Sequence, residues 1–193
     1  MPLSTPQVER ELSHTRRVTC RGFKRKDGLW DIEAHLTDIK SYDMELSERP
    51  NGMIPAGEPL HEMAIRITVD LDLNILEAEA VMDYTPFRLC PSIASVFSKL
   101  KGLQIAPGFT RKTRDLFGGV QGCTHLLELL GPLATTAFQA THHERQHMED
   151  WHTGSGSNAP PMLNSCHAFA EDSDVVKEHW PSHYKPSSPT GEE

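Results

Sequence analysis

Residues 61–70 read His-Glu-Met-Ala-Ile-Arg-Ile-Thr-Val-Asp, and within them Met63, Ile65, Ile67 and Val69 recur at every second position. Side chains of an extended chain point alternately to opposite faces, so this pattern predicts a strand with one buried face. His61 is in phase with the apolar set, which directs its imidazole to the buried side. Downstream, residues 73–82 are expected to pair back across a tight turn. Upstream, residues 16–26 and 29–38 read as a hairpin turning at Lys26-Asp27-Gly28. In its second strand Trp30, Ile32, Ala34 and Leu36 share one face, and Asp31, Glu33, His35 and Thr37 share the other. The expectation is an antiparallel sheet of about four strands.

The second half changes period. Cys90-Pro91 opens a stretch in which Ile93, Val96, Phe97 and Leu100 follow helical spacing, closed by Gly102. A short basic helix is expected near residues 110–117. A long apolar helix then follows Gly122-Cys123-Thr124-His125, with a bend expected at Gly131-Pro132. Strands first and helices after define an α+β domain. The expected organisation is a flexible tail over residues 1–13, one α+β metal-binding domain over 14–151, a Gly/Ser/Pro-rich linker over 152–161, and a partly disordered extension over 162–193.

The chain of 193 residues carries a net charge of −8, which argues against generic nucleic-acid binding. Charge is uneven: residues 14–26 hold Arg16, Arg17, Arg21, Lys24, Arg25 and Lys26 and no acid. That strand is either a solvated, charge-guarded edge or a face that attracts a small anionic substrate. No segment has the length and apolarity of a membrane span, and the first residues lack the apolar core of an export signal. The expected location is therefore the cytoplasm, where the four cysteines stay reduced and are available as metal ligands or structural thiols.

His61, Cys90, Cys123 and His125 are the candidate metal ligands, each placed where a turn delivers a chain end. Thiolate and imidazole suit zinc or iron, not magnesium or calcium. Cys90 and Cys123 stand at predicted helix starts, where the helix dipole favours a thiolate. The alternative is that the cysteines are small buried hydrophobes and the histidines ordinary core residues. Glu33, His35, Glu62 and Glu128 are the candidate acid/base or supporting groups around such a site. His143-Glu144-Arg145-Gln146-His147 is a competing H-E-x-x-H string, with His143 and His147 one helical turn apart as alternative metal ligands. Its polar flanks also fit a solvated helix end. Cys20 reads as structural, and Cys166-His167 as an extra ligand pair or structural.

The segments RRVTCRGFKRKDGLWDIEAHLTDIK, AGEPLHEMAIRITVD and GGVQGCTHLLELLGPLATTAFQ closely resemble a bacterial family known as domain of unknown function 2889. A remoter resemblance links HEMAIRITVDLDLNILEAEAVM, Cys90-Pro91-Ser92-Ile93-Ala94-Ser95 and the Gly122-Cys123 helix start to the iron–sulfur cluster scaffold (NifU N-terminal-like) fold. That resemblance implies a scaffold-like α+β fold with Cys90 and Cys123 at cluster-holding positions. It departs at the histidines: His61 lies near the scaffold's first cysteine, and His125 is displaced from its histidine. A two-Cys, two-His set favours zinc, mononuclear iron or a Rieske-like cluster over a labile all-thiolate one. The expected function is a small metal-dependent enzyme acting on a small acidic or acyl substrate. The alternatives are a non-catalytic metal or iron–sulfur carrier and a structural zinc interaction module.

Overall fold

The structure, a computed structural model, describes residues 3–148 and 159–186. The predicted linker lies mostly outside those residues, as does the predicted disordered end 187–193. The chain divides into two compact units, Met1–Ala140 and Thr141–Glu193, and the division falls inside the long helix.

In the first unit, β1 (His14–Lys24), β2 (Trp30–Lys40), β5 (Pro59–Val69) and β6 (Ile75–Tyr84) form one antiparallel sheet in the order β1-β2-β5-β6. Two short strands, β3 (Met44–Glu45) and β4 (Met53–Ile54), make a separate ribbon in the loop between β2 and β5. The β1–β2 turn follows from its residues. Gly28 takes φ +85°, which costs a glycine little, and Asp27 accepts a hydrogen bond from the Leu29 amide at 3.3 Å. The last strand starts two residues later than its apolar pattern suggests. Asp70 accepts from the Asn74 amide at 2.8 Å and holds Leu73 in a left-handed conformation, φ 62°.

The alternation of the central strands becomes the core. Ile32, Ala34, Leu36, Met63, Ile65, Ile67 and Val69 are essentially inaccessible to solvent. Each large side chain withdrawn in this way contributes about 1.5–3 kcal/mol. The opposite face is polar, with Arg21, His35 and Arg66 exposed, as suits an antiparallel sheet with one apolar face. The cover of the apolar face is a 3₁₀ helix (Cys90–Leu100), α1 (Phe109–Phe117) and α2 (Thr124–Met148). The first of these is tighter than the α-helical spacing implies, and its buried Phe97 and Leu100 sit three residues apart, eclipsed as three residues per turn requires. Phe97 stacks on Phe117 with ring centroids 4.6 Å apart.

α2 continues through Pro132, and Leu126, Leu129, Leu130, Leu133 and Ala137 form its buried stripe. No helix among the described residues is long and apolar enough to cross a membrane. The second unit holds the end of α2, 3₁₀ turns at His167–Phe169 and Pro181–His183, and α3 (Asp174–His179). Ser173 caps α3 by accepting from the Val176 amide at 3.1 Å, and Phe169 packs on Trp180 at 5.5 Å between centroids.

At Gly22 on β1 the sheet and α2 lie close together, because an added Cβ would stand 2.5 Å from that of Ala140. Gly22→Ala is expected to destabilise by about 1–3 kcal/mol as strand and helix are forced apart. Thr19→Ala, on the outer face of the same strand, should stay within about 0.5 kcal/mol. Urea denaturation midpoints distinguish the two.

Candidate functional site

At one end of the inner sheet face the apolar alternation gives way to a polar row. Asp38 follows Leu36 in phase on β2, and its cross-strand neighbours are Arg16 on β1 and His61 on β5. The row lies at an irregularity. The β2–β5 register shifts between Asp38 and Ile39, and the β5–β6 register shifts between Glu62 and Met63. Bulges of this kind re-aim side chains and are frequent beside functional sites. The first turns of α2 lie over the row and bring His125 and Glu128.

Asp38 is 1% exposed, and four side chains converge on it. Arg16 meets it edge-on, donating from Nε to Oδ1 at 2.8 Å and from Nη2 to Oδ2 at 2.7 Å. His14 Nε2 lies 3.0 Å from Oδ1, and His61 Nδ1 lies 3.1 Å from Oδ2. His125 Nε2 stands 3.7 Å from Oδ2. Arg16 also donates through Nη1 to Glu128 of α2. The His61 and His125 rings overlap, with centroids 3.9 Å apart and planes tilted by 35°. The other nitrogen of His125, Nδ1, faces Cys123 Sγ at 3.9 Å. Asp38, His61 and His125 thus offer one nitrogen or oxygen each, all within 4.8 Å of one another.

Electrostatics sets their charge states. Burial alone would raise the Asp38 carboxyl, but hydrogen bonding and charge from Arg16, helped by His61 and His14, override it and hold the group at about 2. Burial lowers His61, and His125 adds to the lowering against the opposing pull of Asp38. Burial likewise lowers His125, with Arg16 reinforcing it against Asp38 and Glu128. Near neutral pH the site therefore holds an ionised carboxylate and two uncharged imidazoles.

Of the sequence-predicted ligands, the structure brings His61 and His125 together and sets Cys123 beside His125. Cys90 sits at the start of the 3₁₀ helix and joins no group of three ligand side chains among the described residues. Glu128 reaches the site through Arg16. Glu33, His35 and Glu62 alternate to the opposite face of the sheet, where Glu33 and His35 line shallow hollows with Arg21 and Arg66. His143 and His147 are in the second unit, one turn apart on α2, with ring centroids 4.7 Å apart. Cys166 is exposed and His167 begins a 3₁₀ turn. Cys20 is half-buried, its thiol pushed up by burial against a hydrogen bond with Thr136.

Three members of the site escape a motif reading: Asp38, Arg16 and His14. The signal for Asp38 was the strand period itself, since it continues Trp30, Ile32, Ala34 and Leu36 by two. Arg16 is the correction to a uniformly solvated basic strand, because its guanidinium is engaged by two carboxylates.

A family model described as a protein of unknown function (DUF2889) matches residues 14–139, which include every member of this site. No curated protein and no solved structure matches the chain.

In chelator, stability should fall in two stages on acidification. His61 and His125 titrate lower in the fold than in the unfolded chain. The unfolded state therefore takes up protons first as pH drops below about 6.5, and stability declines from there. Asp38 contributes about 2 kcal/mol, fully present above about pH 4 and lost as pH falls through about 2. Urea midpoints measured between about pH 8 and 3 test this, and a flat profile across the histidine range would rule out buried neutral imidazoles.

Proposed function

Taking as premise that the chain belongs to the family of proteins of unknown function DUF2889, we propose that it is a metalloprotein whose ion is held by Asp38, His61 and His125. We further propose that it acts as a small metal-dependent enzyme on a small acidic or acyl substrate. The observation that carries this reading is the convergence of one carboxylate and two imidazoles within 4.8 Å. Ligands must be deprotonated to bind; Arg16 favours that state in all three, against burial at Asp38 and together with burial at the two imidazoles.

Two imidazoles and one carboxylate suit zinc or mononuclear ferrous iron and leave open positions, whereas a cluster needs thiolates absent from the trio. A bound divalent ion would supply Lewis acidity toward a carbonyl or phosphoryl oxygen. The protein's own residues do the rest. Arg16 and His14 fix the Asp38 carboxylate in orientation, as groups behind a ligand do in such sites. Binding through Nε2 of His125 leaves Nδ1 to donate toward Cys123, so Cys123 sets the tautomer rather than coordinating. Glu128, half exposed on the solvent side of Arg16, is placed to accept a proton from water or substrate. Four free cysteines fit the cytoplasmic location that belongs to this reading.

Untagged protein titrated with zinc or cobalt(II) is expected to bind one ion per chain. His61→Ala, His125→Ala and Asp38→Ala should each abolish stoichiometric binding. Cys90→Ser should leave it unchanged, and Cys123→Ala should weaken it about 10–100-fold. The cobalt complex should lack a thiolate charge-transfer band. A strong band, lost with Cys90→Ser and Cys123→Ser, would transfer the site to the cysteines and restore the iron–sulfur-scaffold reading. Absence of binding would sink the metal reading. An ion with no exchangeable water would favour a carrier or a structural zinc over an enzyme.

A further inference from the structure

α1 and α2 enclose a cleft of about 250 Å³ lined by Phe109, Thr113, Arg114, Thr124, Leu127, Glu128 and Gly131, among others. At about 30 Å³ per water that volume equals roughly eight waters, the scale of a small organic acid. Glu128 belongs both to this cleft and to the Asp38 site, through its bond to Arg16. At 100° per residue, Thr124, Glu128 and His125 succeed one another around α2, so cleft and site occupy adjoining flanks of one helix.

The chemistry of the walls selects the occupant. Phe109, Leu127 and Leu130 supply apolar surface. Arg114 has no acidic partner among the described residues, whereas Glu128 is paired with Arg16, a cation it shares with Asp38. One uncompensated guanidinium matches one carboxylate, in plane and bidentate. A dianion such as phosphate would leave a second negative charge against apolar walls and Glu128. Gly131 opens the floor, since a Cβ built there meets nothing within 4 Å, and its backbone has no positive φ that would demand glycine.

We infer that the α1–α2 cleft binds a monocarboxylate with a short apolar body, its carboxylate on Arg114 and its chain along Leu127 and Gly131. Its meaning as the substrate pocket rests on the metal-site reading, but the binding does not.

Full-length protein labelled with ¹⁵N is titrated with sodium acetate, butyrate and hexanoate, and with butylamine as the cationic control, first in chelator and then with zinc. Butyrate should shift amides of residues 109–114 and 124–131 and bind more tightly than acetate, and butylamine should not bind. Arg114→Gln should weaken butyrate about ten- to a hundredfold, as loss of a charge-assisted pair implies. Gly131→Ala should keep the fold and shorten the longest chain accepted. Equal binding of butylamine, no shifts in those segments, or butyrate affinity unmoved by Arg114→Gln would overturn the inference. Butyrate binding in a protein that takes up no zinc keeps the cleft and removes the metal reading. Zinc uptake without butyrate binding does the reverse.

Discussion

The carboxylate of Asp38 is the constraint on which this end of the molecule is built. An ionised group removed from water costs several kcal/mol unless charge and hydrogen bonds replace its hydration. Here Arg16 supplies both, edge-on through two nitrogens, and the histidines supply the remainder. Because the partners come from β1, β5 and α2, satisfying one buried oxygen pair ties three strands and a helix into a single arrangement. The apolar core below sets the distances and the carboxylate sets the directions.

That arrangement also explains why the site is asymmetric. His125 has two ring nitrogens facing two different groups, Cys123 on one side and Asp38 on the other. One imidazole nitrogen can hold an ion only when the other carries its proton elsewhere, so the thiol and the carboxylate cannot both serve as co-ligands of a single ion through this ring. In the proposed site the ion would take the Asp38 side, where the tilted ring of a second imidazole, His61, lies 3.9 Å from that of His125 between centroids. The thiol would then orient the ring from its other side.

A polar row at the rim of a core also has a position suited to chemistry. Asp38 is enclosed, whereas Glu128 reaches solvent, so the site grades from dry to wet along the Arg16 side chain. Such a gradient holds the Asp38 carboxylate away from water while leaving that of Glu128 open to it. The α1–α2 cleft begins at that accessible carboxylate.

The strand periods, the turn at Asp27-Gly28 and the change to helical spacing after Cys90 are local properties, and with them the sequence by itself determined the α+β class, the four-stranded antiparallel sheet and the inward phase of His61. The tighter 3₁₀ winding of Cys90–Leu100 was not legible, because packing on the sheet overrides local preference. The composition of the site was only half legible. Cysteine and histidine draw attention by residue type, whereas an aspartate that ends a strand in phase, as Asp38 does, carries no such mark. Only the tertiary structure decided that Arg16, Asp38, His61 and His125 share one point. Residues 109 positions apart meet there because sheet register and helix placement are set by burial of the whole apolar face, which no local stretch encodes.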